Sequence, residues 1–183
     1  MRFFYIIPIL LGFISCENDV VPKPNAYLSL SYQKPNYKVL NTTTPYNFEI
    51  SNQAVFTVEK SNWANIHYPK LKADINLTYQ NVDKNIYQLI ADAEKLTYKH
   101  TLKAEHIEVL PFENYDKKIY ARIFEISGDA ASPIQFQVTD SVKNFISGSL
   151  YFDVSPNYDS ILPAISFVKK DIKHLIETLE WEN

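Results

Sequence analysis

Between residues 71 and 96 the apolar residues change their spacing, from every second position to every third or fourth. Leu71, Ala73, Ile75 and Leu77 alternate with Lys72, Asp74, Asn76 and Thr78, the pattern of a strand with one wet face. From there Val82, Ile86, Leu89, Ile90, Ala93 and Leu96 recur at helical spacing, which predicts an amphipathic helix over residues 82 to 99. Asp83 is expected in its first turn, and Lys99 and His100 near its other end, where the helix dipole favours each charge. A chain that switches period in this way must pack a helix on a sheet.

The rest of the chain repeats these two periods. Lys118 to Ser127 splits by face, with Ile119, Ala121, Ile123 and Glu125 on one side and Tyr120, Arg122, Phe124 and Ile126 on the other. Glu125 breaks the first apolar row. After a turn at Gly128–Asp129, Ile134, Phe136 and Val138 alternate with Gln135, Gln137 and Thr139. Shorter strands are expected at Ala26 to Tyr32, at Glu105 to Leu110 and at Leu150 to Val154. Phe48 to Ile50 and Ala54 to Val58 are expected to form a hairpin about Ser51–Asn52. Ser141 to Ile146 is expected to turn helical, with Asp140 capping its start. Gly148 suits a close approach or an unusual backbone angle. Trp63 carries a large apolar payload and is expected in the core.

The last helix follows a turn at Ser155 to Asp159. Asp159 or Ser160 is expected to cap it, and Pro163 to fall in its first turn. Its stripe is Ile165, Val168, Ile172, Leu175, Ile176 and Leu179, and Trp181 is expected to dock the tail. The expected class is α+β, a mostly antiparallel sheet with two packed helices.

The N-terminus has another character. MRFFYIIPILLGFIS places Arg2 before an apolar run that is shorter than the roughly 17 residues a membrane-spanning helix needs. A basic start, an apolar middle and a small residue at the end describe a secretory signal over residues 1–15. Ser15 is followed by Cys16, the only cysteine, and the junction looks like the lipobox of bacterial lipoproteins, with Phe13 where Leu is commoner. Cys16 is therefore the expected lipidation site, carrying acyl chains such as palmitate. Residues 16–25, with Pro22 and Pro24, form the expected tether, and residues 26–183 a single α+β domain.

With no other cysteine, the body of the protein has no disulfide framework and no cysteine zinc site. The net charge is −3 and the lysines are dispersed, so a nucleic-acid partner is not expected. Only three glycines occur, which argues against a glycine-rich nucleotide loop. Thirteen tyrosines and eleven phenylalanines suit wet sheet faces or an interface with another protein.

No catalytic motif emerges. His67, His100, His106 and His174 have no metal-ligand spacing, so no metal or other cofactor is expected. Asp129, Asp140, Asp153, Asp159 and Asp171 lack a calcium-loop pattern and are assigned to caps, turns and wet faces, although a glycosidase-like acid pair needs only proximity in space. Ser132, Ser141 and Ser147 lack the nucleophile-elbow signature. The stretch AASPIQFQVTDSVKNFISGSLYF has two readings: a recognition edge using Gln135, Gln137 and Phe145, or the centre of the sheet.

Five segments carry a family resemblance. They are PKPNAYLSL at 22 to 30, NWANIHYPKLKADINLTY at 62 to 79, LTYKHTLKAEHI at 96 to 107, GDAASPIQFQVTDSVKNFISGSLYF at 128 to 152 and PNYDSILPAISFVKKDIKHLIETLEW at 156 to 181. In this order the chain resembles the gliding-motility lipoprotein family GldD of Bacteroidetes. Two positions depart from the family pattern: Asn62 stands where a cysteine often precedes the tryptophan, and Ser147 where arginine is common. The first removes a thiol role, and the second weakens any case for a cation there binding an acidic partner. The resemblance implies a non-catalytic envelope lipoprotein, lipid-anchored and exposed to the periplasm, that supports assembly or stability of a gliding apparatus linked to type IX secretion. Its implied partners are other motility or secretion lipoproteins and the bilayer. Asp140, Ser141, Asn157, Asp159 and Ser160 match its polar signatures. The alternative is a periplasmic ligand-binding protein or an enzyme acting on a glycan or cell-wall fragment.

Overall fold

The computed structural model describes residues 32, 34–40, 42–99, 104–153 and 158–182. Cys16, the signal and tether, His100 and Asn157 lie outside these residues, as does the strand expected at Ala26 to Tyr32 apart from Tyr32 itself. In chain order the elements are β1 (Tyr37–Val39), β2 (Tyr46–Asn47), β3 (Glu49–Ser51), β4 (Val55–Val58), a 3-10 turn (Lys60–Asn62), β5 (Ala64–Tyr68), β6 (Ala73–Asn81), α1 (Ile86–Lys99), β7 (Ala104–Asn114), β8 (Ile119–Gly128), β9 (Ile134–Thr139), β10 (Asn144–Phe152), α2 (Tyr158–Thr178) and β11 (Glu180–Trp181).

Seven strands form one sheet in the order β4-β5-β6-β10-β9-β8-β7, and every pairing is antiparallel. The expected α+β class holds. From β6, in the middle of the sheet, α1 carries the chain to β7 at the far edge. Strands β7 to β10 then meander back until β10 pairs with β6.

Side-chain alternation gives this sheet two faces. One holds Ile119, Ala121 and Ile123 of β8, Ile134, Phe136 and Val138 of β9, and Ile146 and Leu150 of β10, all in the main core. The apolar stripe of α2 closes over it: Ile165, Val168, Ile172, Leu175, Ile176 and Leu179 are all buried there. Each such side chain contributes about 1.5–3 kcal/mol when taken out of water. Glu125, the acid that interrupts the β8 row, meets Lys169 of α2 at 2.6 Å. Opposite Phe136 in the register stands Gly148. A Cβ at Gly148 would lie 2.2 Å from the tip of the Phe136 ring, so the expected close approach is the reason for glycine there.

Several local expectations are corrected. Helix α1 starts at Ile86, because β6 runs on to Asn81 and Val82 donates its N–H to the Lys143 carbonyl at 2.7 Å. Asp83 is therefore in a turn, not in the helix, and its N–H bonds Asn85 Oδ1 at 2.8 Å. Ser141 to Ile146 is not helical: Ser141 has φ 66° at the tip of the β9–β10 hairpin, and the strand resumes at Asn144. The expected hairpin of Phe48–Ile50 with Ala54–Val58 does not form. A turn does occur, with the Ala54 N–H on the Ser51 carbonyl at 3.1 Å, but β3 pairs with β1 and β4 with β5. Trp63 is 46% exposed, because Ala64 takes the inward position where β5 begins. Asp159 and Ser160 lie inside α2 instead of capping it, and Pro163 falls in its second turn. The expected docking of Trp181 holds: its indole N–H donates to the Lys118 carbonyl at 3.2 Å, and β11 pairs with β2.

Candidate interaction site

The second face of the sheet lies under α1. Gln135, Gln137 and Thr139 alternate with the core residues of β9 and so point to the α1 side, as Phe145 does on β10, where it pairs with Thr139. Helix α1 lies over β9 and β10 and buries only one residue, Thr97. The Thr97 hydroxyl is 2.8 Å from Gln135 Oε1 and 3.0 Å from the Ala93 carbonyl. Arg122 of β8 reaches Glu94 of α1 at 2.6 Å, and Gln137 Nε2 lies 3.5 Å from the same carboxylate oxygen.

Both glutamines are 5% exposed, yet each keeps one buried polar atom without a hydrogen-bond partner, Nε2 in Gln135 and Oε1 in Gln137. Beside them α1, β7, β8, β9 and β10 frame a groove of about 260 Å³. Its walls include Ile90, Tyr120, Gln137, Thr139, Ser141 and Phe145. Two of the three residues expected at a recognition edge, Gln137 and Phe145, thus line one groove together with Ser141, which was singled out for the family's polar signature. Gln135 is next to it, under α1.

Asp140 sits at the hairpin tip and uses its carboxylate internally. Oδ1 accepts the backbone N–H groups of Val142, Lys143 and Asn144 at 2.8, 2.8 and 2.9 Å, and Oδ2 accepts Asn144 Nδ2 at 2.7 Å. Burial alone would raise its pKa, but these bonds outweigh it and the net shift is downward. Asn144 is held in turn by Tyr79, whose hydroxyl donates to its Oδ1 at 2.7 Å. Asp159 is exposed in the first turn of α2, beyond the far end of β10, and does not join this group.

The strongest polar cluster lies elsewhere and was not expected. Asp171, assigned from sequence to a cap, turn or wet face, is 4% exposed. Tyr37 and Tyr68 donate to its two oxygens at 2.8 and 3.0 Å. The Tyr37 ring stacks on His174 at 3.6 Å, and His174 Nε2 lies 2.7 Å from Glu49 Oε2. Burial raises the Asp171 pKa, partly offset by hydrogen bonds from Tyr37, Tyr68 and Ser51 and by the charge of His174. Both tyrosine hydroxyls are shifted upward, chiefly by burial. The cluster fastens β1 and β3 to α2. Its signal was in the helical spacing, since Asp171 falls three residues after Val168 and four before Leu175, on the buried stripe. His67 pairs with Asp74 at 2.8 Å, and no group of three metal-binding side chains occurs among the described residues.

A family model described as gliding motility lipoprotein GldD matches residues 17–181. The chain belongs to the GldD family. Among curated proteins none matches it. As a GldD-family member it is a non-catalytic envelope lipoprotein linked to gliding motility and type IX secretion. No helix of the described residues is long and apolar enough to cross a membrane. On the GldD fold the two departures from the family pattern fall at separate places. Asn62 closes the 3-10 turn, where its carbonyl accepts the Tyr46 hydroxyl at 2.7 Å. Ser147 pairs with Gln137 across β9 and β10, next to the groove.

Proposed function

We propose that this GldD-family protein is held to a membrane by acylated Cys16, faces the periplasm, and supports assembly or stability of a motility complex through the β9–β10 side of its sheet. In this reading residues 1–15 are removed, 16–25 are the tether, and 26–183 form one α+β domain. The observation that carries it is the family match, which begins one residue after Cys16 and runs through β11. Each buried acyl CH₂ contributes about 0.8 kcal/mol, and stable anchoring takes more than one chain, which a multiply acylated cysteine supplies. Anchoring raises the effective concentration of partners in the same membrane. Those partners are other motility or secretion lipoproteins. The contact residues are Gln137, Ser141 and Phe145 at the groove with Gln135 beside it, while Asp140 shapes the hairpin that presents them. Asp159, in the first turn of α2, and Asn157, outside the described residues, are further proposed contact residues. The family match gives no support to a glycan-acting enzyme.

Metabolic labelling with an alkyne fatty acid tests the anchor. The wild-type chain should take up label and fractionate with membranes, and Cys16→Ala should lose both. Label retained by Cys16→Ala would remove the lipid assignment.

A further inference from the structure

The seven-stranded sheet ends in two edges that are finished very differently. At one edge, β7 carries Glu105, Glu108 and Glu113, has Pro111 within it and a register shift between Ala104 and His106. Charges, proline and bulges are the means by which an edge refuses another strand. At the other edge, β4 reads Val-Phe-Thr-Val, with no charge, no proline and no register shift against β5. Its Val55 is 55% exposed and its Val58 42%. We propose that β4 pairs antiparallel with β4 of a second copy of this chain, so that the two seven-stranded sheets run on into one.

Main-chain hydrogen bonding fixes the register. The Glu59 N–H donates to the Trp63 carbonyl at 2.6 Å, and these two residues continue the ladder in which Thr57 faces Asn65 and Val55 faces His67. Bonded pairs alternate with unbonded ones along an antiparallel ladder. Val55 and Thr57 therefore direct their main-chain groups to β5. Phe56 and Val58 turn theirs to the free edge, where no described residue bonds them. The register that uses all of these outward groups on both chains sets Phe56 against Val58 of the second copy, and Val58 against its Phe56. Thr57 then meets Thr57 on the twofold axis, and residues that face each other point to the same side of the sheet. Aromatic against β-branched and threonine against threonine are favourable cross-strand pairs. No like charges meet, since Glu59 falls opposite Val55. Phe56 is already held in place by an edge-on contact with Phe48 at 5.7 Å. Beside Phe56 and Val58 a groove of about 570 Å³ opens towards Leu40 and Ile50, which leaves room on that side.

Length is the one restraint on β4. A strand of four residues buries less than the roughly 800 Å² per partner of a standard stable interface. The pair therefore forms where both chains are confined to one membrane, which raises their effective concentration, and for this it rests on the Cys16 anchor proposed above. Strands β5 and β6 separate β4 from β10, so the second copy leaves the β9–β10 side free.

Cysteine crosslinking of the full chain in its own membranes, under mild oxidation, tests the pairing and its register. Val55, Thr57 and Glu59 are all exposed, so cysteine is tolerated at each. Thr57→Cys sets two thiols across the axis with Cα atoms about 4.5 Å apart, inside the disulfide range of about 4.4–6.8 Å, and should give a disulfide-linked dimer. Val55→Cys or Glu59→Cys alone stands about 13 Å from its own copy, four residues at about 3.3 Å each, and should give none. The two substitutions together should give the dimer again. Cys16 is common to all these chains, so a bond through it would appear in every one. Val58→Pro removes an N–H that faces outward and should abolish the Thr57→Cys dimer; the comparison of positions stands without it. Equal crosslinking at all three positions, or none at Thr57→Cys, overturns the proposal. So does a Thr57→Cys bond to a different protein. A thiol there that is shielded from maleimide in a chain running as a monomer also overturns it, and gives the edge to the chain's own N-terminal residues. Fractionation of the same samples reads the anchor separately. A membrane-held chain without the bond overturns the dimer alone, and a crosslinked chain in the soluble fraction removes the anchor alone.

Discussion

Two buried or half-buried carboxylates respond to pH in opposite directions. The Asp171 pKa is raised above its ordinary 3.8, so the native protein holds this proton more tightly than the unfolded chain. Its contribution to stability is fullest below the unfolded value and declines as pH rises through the raised one. The Asp140 pKa is lowered, so its contribution is present above the unfolded value and is lost as pH falls through the lowered one. Urea unfolding across acid and neutral pH should show this directly. Asp171→Asn should flatten the decline on the side above 3.8, and Asp140→Asn the loss on the side below it. Asp171→Ala leaves the hydroxyls of Tyr37 and Tyr68 without their acceptor and should cost about 3 kcal/mol. Gly148→Ala sets a methyl against the Phe136 ring, where the Cβ would be 2.2 Å from the ring tip. It should cost about 2–3 kcal/mol, and Phe136→Leu in the same chain should recover part of that.

Among the elements, α1 and α2 are bound to the sheet very differently. Helix α2 sets a continuous apolar stripe into the core, whereas α1 buries Thr97 alone and leaves Tyr87 86% exposed. The amides of α1 should therefore exchange with solvent faster than those of β8, β9 and β10; hydrogen exchange read by mass spectrometry checks this, and equal protection would count against it. Thr97→Val removes the hydroxyl at Gln135 and should cost about 1–2 kcal/mol. How far these elements could be read from the residues follows from how local their causes are. The two faces of β8 and the apolar stripe of α2 were legible because burial imposes period on sequence directly. The hairpin about Ser51–Asn52 was misread because turn chemistry marks a turn but not which strands pair across space. Asp140 was misread as a helix start for a similar reason. A carboxylate accepting the next backbone N–H groups serves a helix N-terminus and a tight hairpin alike, and the positive φ at Ser141 decides for the hairpin. Asp171 was grouped with acids of caps and wet faces, although its helical position put it on the buried stripe. The groove was legible only in part: alternation put Gln135 and Gln137 on one face, but the helix that covers them comes from forty residues earlier in the chain.

At the scale of the whole molecule, the sheet separates two tasks. One face and α2 hold the protein together, and the other keeps Gln135, Gln137 and Phe145 buried beneath a lightly held helix. Such an arrangement lets a partner contact be made without disturbing the main core. An anchored domain of this kind works by being close to its partners, so its loss should be felt in the assembly and not in any turnover. Crosslinking in the native envelope, gentle extraction of this chain and mass spectrometry of what is attached tests that claim most directly. Reproducible recovery of motility or secretion lipoproteins, reduced when the groove is altered at Ile90 and Gln137, is the result expected. Recovery of the chain alone, under conditions in which other envelope lipoproteins crosslink to one another, would contradict the account.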